Sequence, residues 1–185
     1  EIQKTINVNV INPTNATFSV SLDNTNVCVG GQVKATANLG SYTGLVDWYV
    51  NGILVPGEHA SVITMNMDEA GTYTFAATPA NTTCTPAVPS TAVTTTNTVA
   101  VHELPEITIT GDNVICQNAS ATMTATPNIT GATYNWIKPT ASTATSSNNV
   151  LTTTVPGVYA LDVTKDGCTA HAEFTIYQLG GDLQV

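Results

Sequence analysis

One pattern, the order Cys, Trp, Gly-x-Tyr and Cys, occurs twice in this 185-residue chain. The same offset of 88 residues carries Cys28 onto Cys116 and Trp48 onto Trp136. The chain has only four cysteines and two tryptophans, so two such matches are not expected by chance. A fixed period of this length predicts tandem copies of one structural unit.

The rest of the pattern supports this interpretation. Tyr73 follows the first Trp and Tyr159 the second, each in a Gly-x-Tyr motif, and each copy then reaches a second cysteine, Cys84 or Cys168. After the first cysteine of each copy, apolar and polar residues alternate, which is typical of a β-strand with one buried face. The apolar positions are Val33, Ala35 and Ala37 in the first copy and Ala121, Met123 and Ala125 in the second.

The chain is rich in Thr and Val, which favour strands, and poor in the residues that favour helices. Asn51-Gly52 and Asp166-Gly167 lie between strand-like segments and predict tight hairpin turns, since both turn positions require a positive φ. Six or seven short strands per copy, together with the Cys, Trp, Cys order, predict an all-β chain of two tandem immunoglobulin-like β-sandwich domains.

We expect the first domain to span residues 13–104 and the second 105–185, because Pro105 separates two strand patterns. Residues 1–12 are a surplus strand in which Ile6, Val8 and Val10 alternate with polar residues. Such a strand folds back, belongs to a preceding repeat, or pairs with a neighbouring repeat or subunit by β-strand addition. The sequence favours pairing with a neighbour.

The four cysteines are compatible with free thiols, a zinc site or disulfides. No Cys-x2-Cys pair is present, and Cys168 with His171 is the only ligand-like spacing, which argues against zinc. Because each copy has one cysteine at each equivalent end, we predict one disulfide per domain, Cys28–Cys84 and Cys116–Cys168. The first cysteine precedes its strand, so each bond is expected to staple one end of a sandwich. Disulfides persist in oxidising compartments.

The net charge of −9 argues against nucleic acid and anionic membranes as partners. No apolar run is long enough to span a bilayer and no signal segment opens the chain at Glu1, so we expect a mature or excised chain without membrane insertion. The three histidines lie in separate segments and no nucleophile elbow is present, which predicts no enzyme activity, cofactor or metal centre. Calcium binding by turn carboxylates stays open.

Trp48 and Trp136 lie in alternating strands beside apolar residues, which favours a core position over a sugar-stacking platform. Tyr73 and Tyr159 are interpreted as core aromatics in the same way. Residues 83–97 form an additional loop of the first copy, and loops on a rigid sandwich are where ligands bind.

Three segments of the second copy resemble a known family. They are Val114-Ile115-Cys116-Gln117-Asn118, Tyr134-Asn135-Trp136, and Val155-Pro156-Gly157-Val158-Tyr159 followed by Asp166-Gly167-Cys168. These segments resemble the immunoglobulin-like (PKD-like) repeats of secreted cell-surface proteins of Bacteroidota, such as gliding-motility adhesins and surface filaments. The resemblance covers nearly all of the second copy, whereas the first fits less closely because Cys84 is not in an Asp-Gly-Cys turn.

That resemblance implies a non-enzymatic structural or adhesive module of an extracellular bacterial adhesin or filament, secreted to the cell surface. The alternative is a carbohydrate- or protein-binding module that uses loop 83–97 to hold surface glycans or proteins.

Overall fold

The computed structural model describes residues 19–39, 44–80 and 97–180. These ranges contain sixteen β-strands and no helix, which confirms the prediction of an all-β fold. The chain divides into two compact units, Glu1–Val101 and His102–Val185, which we call domain 1 and domain 2.

The described part of domain 1 contains two sheets built from eight strands. One sheet has the order β1-β3-β6 and the other β2-β8-β7-β4-β5. The strands are β1 (Ser19–Leu22), β2 (Asn26–Cys28), β3 (Gly31–Asn38), β4 (Val46–Val50), β5 (Ile53–Leu54), β6 (Val62–Met67), β7 (Gly71–Pro79) and β8 (Asn97–His102).

Domain 2 repeats this arrangement. Its sheets have the orders β13-β14-β11-β9 and β10-β16-β15-β12. The strands are β9 (Thr108–Gly111), β10 (Val114–Ile115), β11 (Ala121–Thr126), β12 (Thr133–Ile137), β13 (Thr145–Ser147), β14 (Val150–Thr153), β15 (Gly157–Lys165) and β16 (Cys168–Gln178).

Each domain has its own apolar core, formed by the alternating residues that the sequence pattern identifies. The six alternating apolar residues after the first cysteines are all buried, as predicted. Trp48 is fully buried and donates its indole N–H to the carbonyl oxygen of Ala60 at 2.8 Å. Trp136 is also buried and donates to the carbonyl of Asn148 at 3.0 Å. Both indoles therefore enter a core without losing a hydrogen bond.

The two Gly-x-Tyr tyrosines make the same local contact. Tyr73 donates its hydroxyl to the carbonyl oxygen of Glu69 at 3.0 Å, and Tyr159 donates to that of Val155 at 2.8 Å. This is the tyrosine corner of β-sandwiches, in which the hydroxyl holds the backbone a few residues upstream. Tyr159 is fully buried and its hydroxyl also lies 2.7 Å from Oγ1 of the buried Thr153.

Both predicted hairpin turns are confirmed. Asn51 and Gly52 have φ values of 51° and 78° and connect β4 to β5. Asp166 and Gly167 have φ values of 50° and 85°, and Lys165 pairs with Cys168 directly across the turn. These positive φ values are accessible to Asn, Asp and Gly at low cost.

The predicted Cys116–Cys168 disulfide of domain 2 is wrong. Cys28 and Cys168 are each disulfide-bonded, whereas Cys116 carries a free, exposed thiol. The predicted Cys116–Cys168 bond is therefore absent. The predicted Cys28–Cys84 bond involves a residue outside the described ranges and stays a prediction. Cys84 itself lies outside the described residues.

The reason for this error is the direction of β10. It pairs in parallel with the last residues of β16, with Ile115 opposite Gln178, so Cys116 lies beside the end of β16. Cys168 is the first residue of this 11-residue strand. At ~3.3 Å per residue the two cysteines lie about 30 Å apart, whereas a disulfide requires Cα atoms within about 7 Å.

The tyrosine corners predict unequal costs for two matched substitutions. Tyr159→Phe is expected to lower the free energy of unfolding by about 1–3 kcal/mol, because it removes a hydroxyl that is buried with Thr153. Tyr73→Phe removes one hydrogen bond at a half-buried position and is expected to cost about 0.5–1.5 kcal/mol. Urea denaturation followed by circular dichroism measures both. Equal costs, or a larger cost for Tyr73→Phe, contradict this explanation.

Candidate functional site

Four large apolar side chains lie exposed on the outer face of the β10-β16-β15-β12 sheet in domain 2. Val114, Ile137, Val158 and Tyr177 are 43%, 47%, 55% and 61% exposed, respectively. We call these four residues the apolar patch. Exposed apolar groups that gather on one face of a soluble domain mark an interaction surface.

The strand register places the four residues on one face. Val114 lies opposite Tyr177, and Val158 lies opposite Thr175, which is two residues from Tyr177 on the same strand. Ile137 lies opposite Ala160, two residues beyond Val158. Because side chains alternate between the faces of a strand, residues two apart point the same way. The opposite face of β15 carries the fully buried core residues Tyr159, Leu161 and Val163.

Domain 1 shows that the fold does not require this patch. Counted from the repeat cysteines, Val114 corresponds to Asn26, and counted from the Gly-x-Tyr motif, Val158 corresponds to Thr72. The same sandwich therefore forms with polar residues at these outward positions. At these two positions the apolar side chains are a property of domain 2 and not of the shared architecture.

The same sheet face carries an ionisable cluster farther along β15 and β16. Nδ1 of His171 lies 2.6 Å from Oδ1 of Asp162, and Nε2 lies 3.6 Å from Oε1 of Glu173. The hydrogen bond to the Asp162 carboxylate, with a further contribution from Glu173, raises the pKa of His171 above its ordinary value. Across the residues that the structure describes, no group of three or more His, Cys, Asp or Glu side chains is arranged to hold a metal ion.

An open groove of about 490 Å³ lies beside this cluster. His171 and Glu106 are the ionisable side chains that line it. The other lining residues are Pro105, Ile107, Thr108, Thr126, Pro127 and Ala170, so the walls are largely apolar.

The sequence-predicted site residues are only partly visible. Cys84, residues 83–96 of the additional loop, and the surplus strand with Ile6, Val8 and Val10 lie outside the described residues. The four predicted core aromatics lie in the two sandwiches: Trp48, Trp136 and Tyr159 are buried and Tyr73 is half-buried. Sequence reasoning missed the apolar patch, although the unbroken apolar run from Val158 to Leu161 shows that β15 is apolar on both faces.

Comparisons with known proteins bear on the fold. No protein-family model matches the sequence, and no curated protein matches it. In the part of the chain that the structure describes, no helix is long and apolar enough to cross a membrane. One similar solved structure is a C-terminal 282-residue fragment of intimin in complex with the intimin-binding domain of the translocated intimin receptor. The two chains are 13% identical with a TM-score of 0.54, over 88% of this chain and 64% of that one.

The fold is immunoglobulin-like. Two further similar structures are the murine receptor complexed with a mouse coronavirus receptor-binding domain and the fibronectin(III)-like modules of Clostridium thermocellum CbhA. The first is 14% identical with a TM-score of 0.46, over 88% of this chain and 100% of that one. The second is 14% identical with a TM-score of 0.37, over 86% and 94%. At these identities the likeness concerns the fold alone.

The apolar patch predicts opposite outcomes for the two faces of β15. Val158→Thr is expected to change the free energy of unfolding by no more than about 0.5 kcal/mol, because the exposed residue has Thr72 as its counterpart and both residues favour strands. Leu161→Thr, on the buried face of the same strand, is expected to cost at least ~2 kcal/mol. Urea denaturation of both variants is the measurement. A large loss in Val158→Thr shows that Val158 belongs to the core.

The histidine cluster predicts a pH dependence. The raised pKa means that the contacts of His171 stabilise the fold below about pH 6.5, its ordinary pKa, and that this contribution is lost as the pH rises through the raised value. Asp162→Asn should lower the pKa of His171, measured by NMR titration of its imidazole protons. Asp166→Asn, which removes the same charge from a turn, serves as the control. Equal pKa values of His171 in the two variants are incompatible with the contact.

Proposed function

We propose that this chain is a non-enzymatic structural and adhesive module of a secreted bacterial surface adhesin or filament. The observation that carries the proposal is the apolar patch on one of two otherwise matched sandwiches. A protein-binding face on a rigid sheet suits a module that holds a neighbour. Immunoglobulin- and fibronectin-III-like domains are generally non-catalytic, which fits this role.

The disulfide supports an extracellular location. Cys28 and Cys168 are both disulfide-bonded, and disulfides persist in oxidising compartments but are reduced in most cytosols. The acidic surface and the resemblance to PKD-like repeats of Bacteroidota point to the cell surface, in a gliding-motility adhesin or a surface filament. Domains in such an array each need a closed core, and each of the two domains has one.

Neighbouring copies are joined, in this proposal, by β-strand addition. Residues 1–11, with Ile6, Val8 and Val10 on one face, supply the donated strand. The acceptor is an edge strand with unpaired backbone groups. β5 is such an edge of the five-stranded sheet, and both its residues, Ile53 and Leu54, are exposed. Exposed apolar edges of this kind are templates for another chain.

Removing the apolar face of the donated strand tests this proposal. A chain with Ile6, Val8 and Val10 replaced by Thr is expected to remain folded and to lose fibre formation, because Thr keeps the strand propensity but not the apolar contact. Negative-stain electron microscopy and light scattering measure assembly, and circular dichroism measures folding.

The control variant replaces Thr5, Asn7 and Asn9 by Ser, on the other face of the same segment. This variant should assemble like the intact chain. Assembly of the first variant at the normal rate, or an intact chain that stays a monodisperse monomer, refutes strand addition.

A second candidate function is a protein- or carbohydrate-binding module. The apolar patch favours a protein partner, since Val158 and Ile137 offer apolar contact area and no hydrogen-bonding group. The carbohydrate alternative places the ligand on loop 83–97. Binding to a glycan array that disappears when residues 85–96 are deleted supports the carbohydrate alternative over the filament.

A further inference from the structure

Strand β12 is an edge strand of domain 2. The order of its sheet is β10-β16-β15-β12, so β12 pairs with β15 on one side, and no other described strand pairs with it. The pairing runs without a bulge from Thr133 opposite Thr164 to Ile137 opposite Ala160. The other side of β12 is therefore a regular sheet edge of the kind that accepts a further strand.

In domain 1 the corresponding edge is covered by the chain itself. β4 is the counterpart of β12, because the 88-residue offset places Trp48 on Trp136. β5 pairs antiparallel with the outer side of β4 and places Leu54 opposite Tyr49. In domain 2 the next strand after β12 is β13, which pairs with β14 in the other sheet. Domain 1 thus shows which kind of segment this edge accepts.

The backbone bonds of domain 1 identify the groups that lie at this edge. The N–H of Val46 donates to the carbonyl oxygen of His59 at 3.1 Å, and the carbonyl oxygen of Trp48 accepts from the N–H of Val55 at 2.8 Å. Val46 and Trp48 are the buried residues of β4. Because backbone groups alternate in direction along a strand, the core-facing residues are the ones whose N–H and C=O point to the outer edge.

Tyr134 and Trp136 are the core-facing residues of β12. Their backbone N–H and C=O groups therefore point to the open edge. The five residues of β12, Thr133–Ile137, include no charge and no proline, which are the usual protection of an edge strand. Ile137 is 47% exposed, whereas its counterpart Tyr49 is half-buried under the pairing with β5.

The side chains on the outer face define the chemistry of the missing strand. Ile137 calls for an apolar side chain opposite it, as Tyr49 has in Leu54. Asp162 lies opposite Asn135 on the same face and repels an acidic side chain. A second β12 fits less well, because antiparallel pairing of the whole strand with itself places Ile137 opposite a threonine, Thr133.

We propose that the open edge of β12 binds an extended segment of a partner protein, which adds as an antiparallel strand with an apolar residue opposite Ile137 and no acidic residue on that face. Backbone hydrogen bonds to Tyr134 and Trp136 hold the segment, and the contact with Ile137 selects its sequence. The inference rests on the proposed function, because it names the partner class that domain 2 holds. It concerns a different edge from β5.

A synthetic peptide that copies the covering segment of domain 1, residues 52–60 with Glu58→Gln, is the probe. Added at millimolar concentration to the isotope-labelled intact chain, it should shift the amide NMR signals of Tyr134 and Trp136. It should also slow the solvent exchange of the Tyr134 amide, the counterpart of the bonded Val46 N–H. The same peptide with Leu54→Ser should bind about fivefold more weakly, because it loses the cross-strand apolar pair.

Two variants of the chain separate the edge from the rest of the apolar patch. Ile137→Lys places a charge on β12 and should lower the affinity for the peptide about fivefold or more, because the apolar pair is lost. Val114→Lys places the same charge on β10, at the opposite edge of the same sheet, and should leave the affinity unchanged. Both side chains are exposed, and circular dichroism checks that both variants are folded.

The proposal is overturned if the peptide leaves the β12 signals unchanged, if it shifts only those of β5, or if both lysine variants lose affinity equally. It is also overturned if the Tyr134 amide becomes protected as the concentration of the chain alone rises, because the edge then takes a second copy. Protection that disappears when residues 1–11 are deleted overturns it as well, because the edge then takes a segment of this chain.

The outcome is separable from the proposed function. If the peptide does not bind but replacement of Ile6, Val8 and Val10 still abolishes fibres, the filament function stands and the β12 site is wrong. If the peptide binds at β12 but the intact chain forms no fibres, the β12 site stands and the filament function is wrong.

Discussion

The parallel pairing of β10 with the last residues of β16 is the constraint on which the arrangement of domain 2 depends. Ile115 lies opposite Gln178, so the short strand runs in the same direction as the last strand of its domain. This direction places Cys116 beside the last residues of β16, whereas Cys168 is the first residue of that strand. The separation of Cys116 from Cys168 and the position of Val114 in the apolar patch both follow from it.

Much of the fold was predictable because its signals are local. The alternation around Val33 and Met123 identifies a buried strand face without knowledge of the partner strand. Asn51-Gly52 and Asp166-Gly167 determine hairpins because few other residues adopt the positive φ values found there. The repeat of Trp48 in Trp136 predicts two copies of one sandwich. None of these inferences requires knowledge of how strands that are distant in the sequence pair with one another.

The candidate site was less predictable because it depends on long-range register. The repeat shows that Cys28 and Cys116 are equivalent but not which end of the sandwich they occupy, so a pairing within each copy was the simpler hypothesis. Val158 is as apolar as its buried neighbours, and only its opposition to Thr175 shows that it points outward. His171 contacts Asp162 because the register of the β15–β16 hairpin places the two residues opposite each other. The surplus strand at residues 1–12 and loop 83–97 stay predictions.

The distance between the two ends of β16 is the most sensitive test of the parallel pairing of β10. The variant keeps Cys116, replaces the other three cysteines by Ser and adds one cysteine through Thr169→Cys. Both cysteines are spin-labelled, and circular dichroism checks that the variant is folded. Double electron–electron resonance is expected to give about 30 Å between the labelled positions, because the strand separates them. A distance below about 15 Å contradicts the parallel pairing of β10 and restores a Cys116–Cys168 bond within the domain.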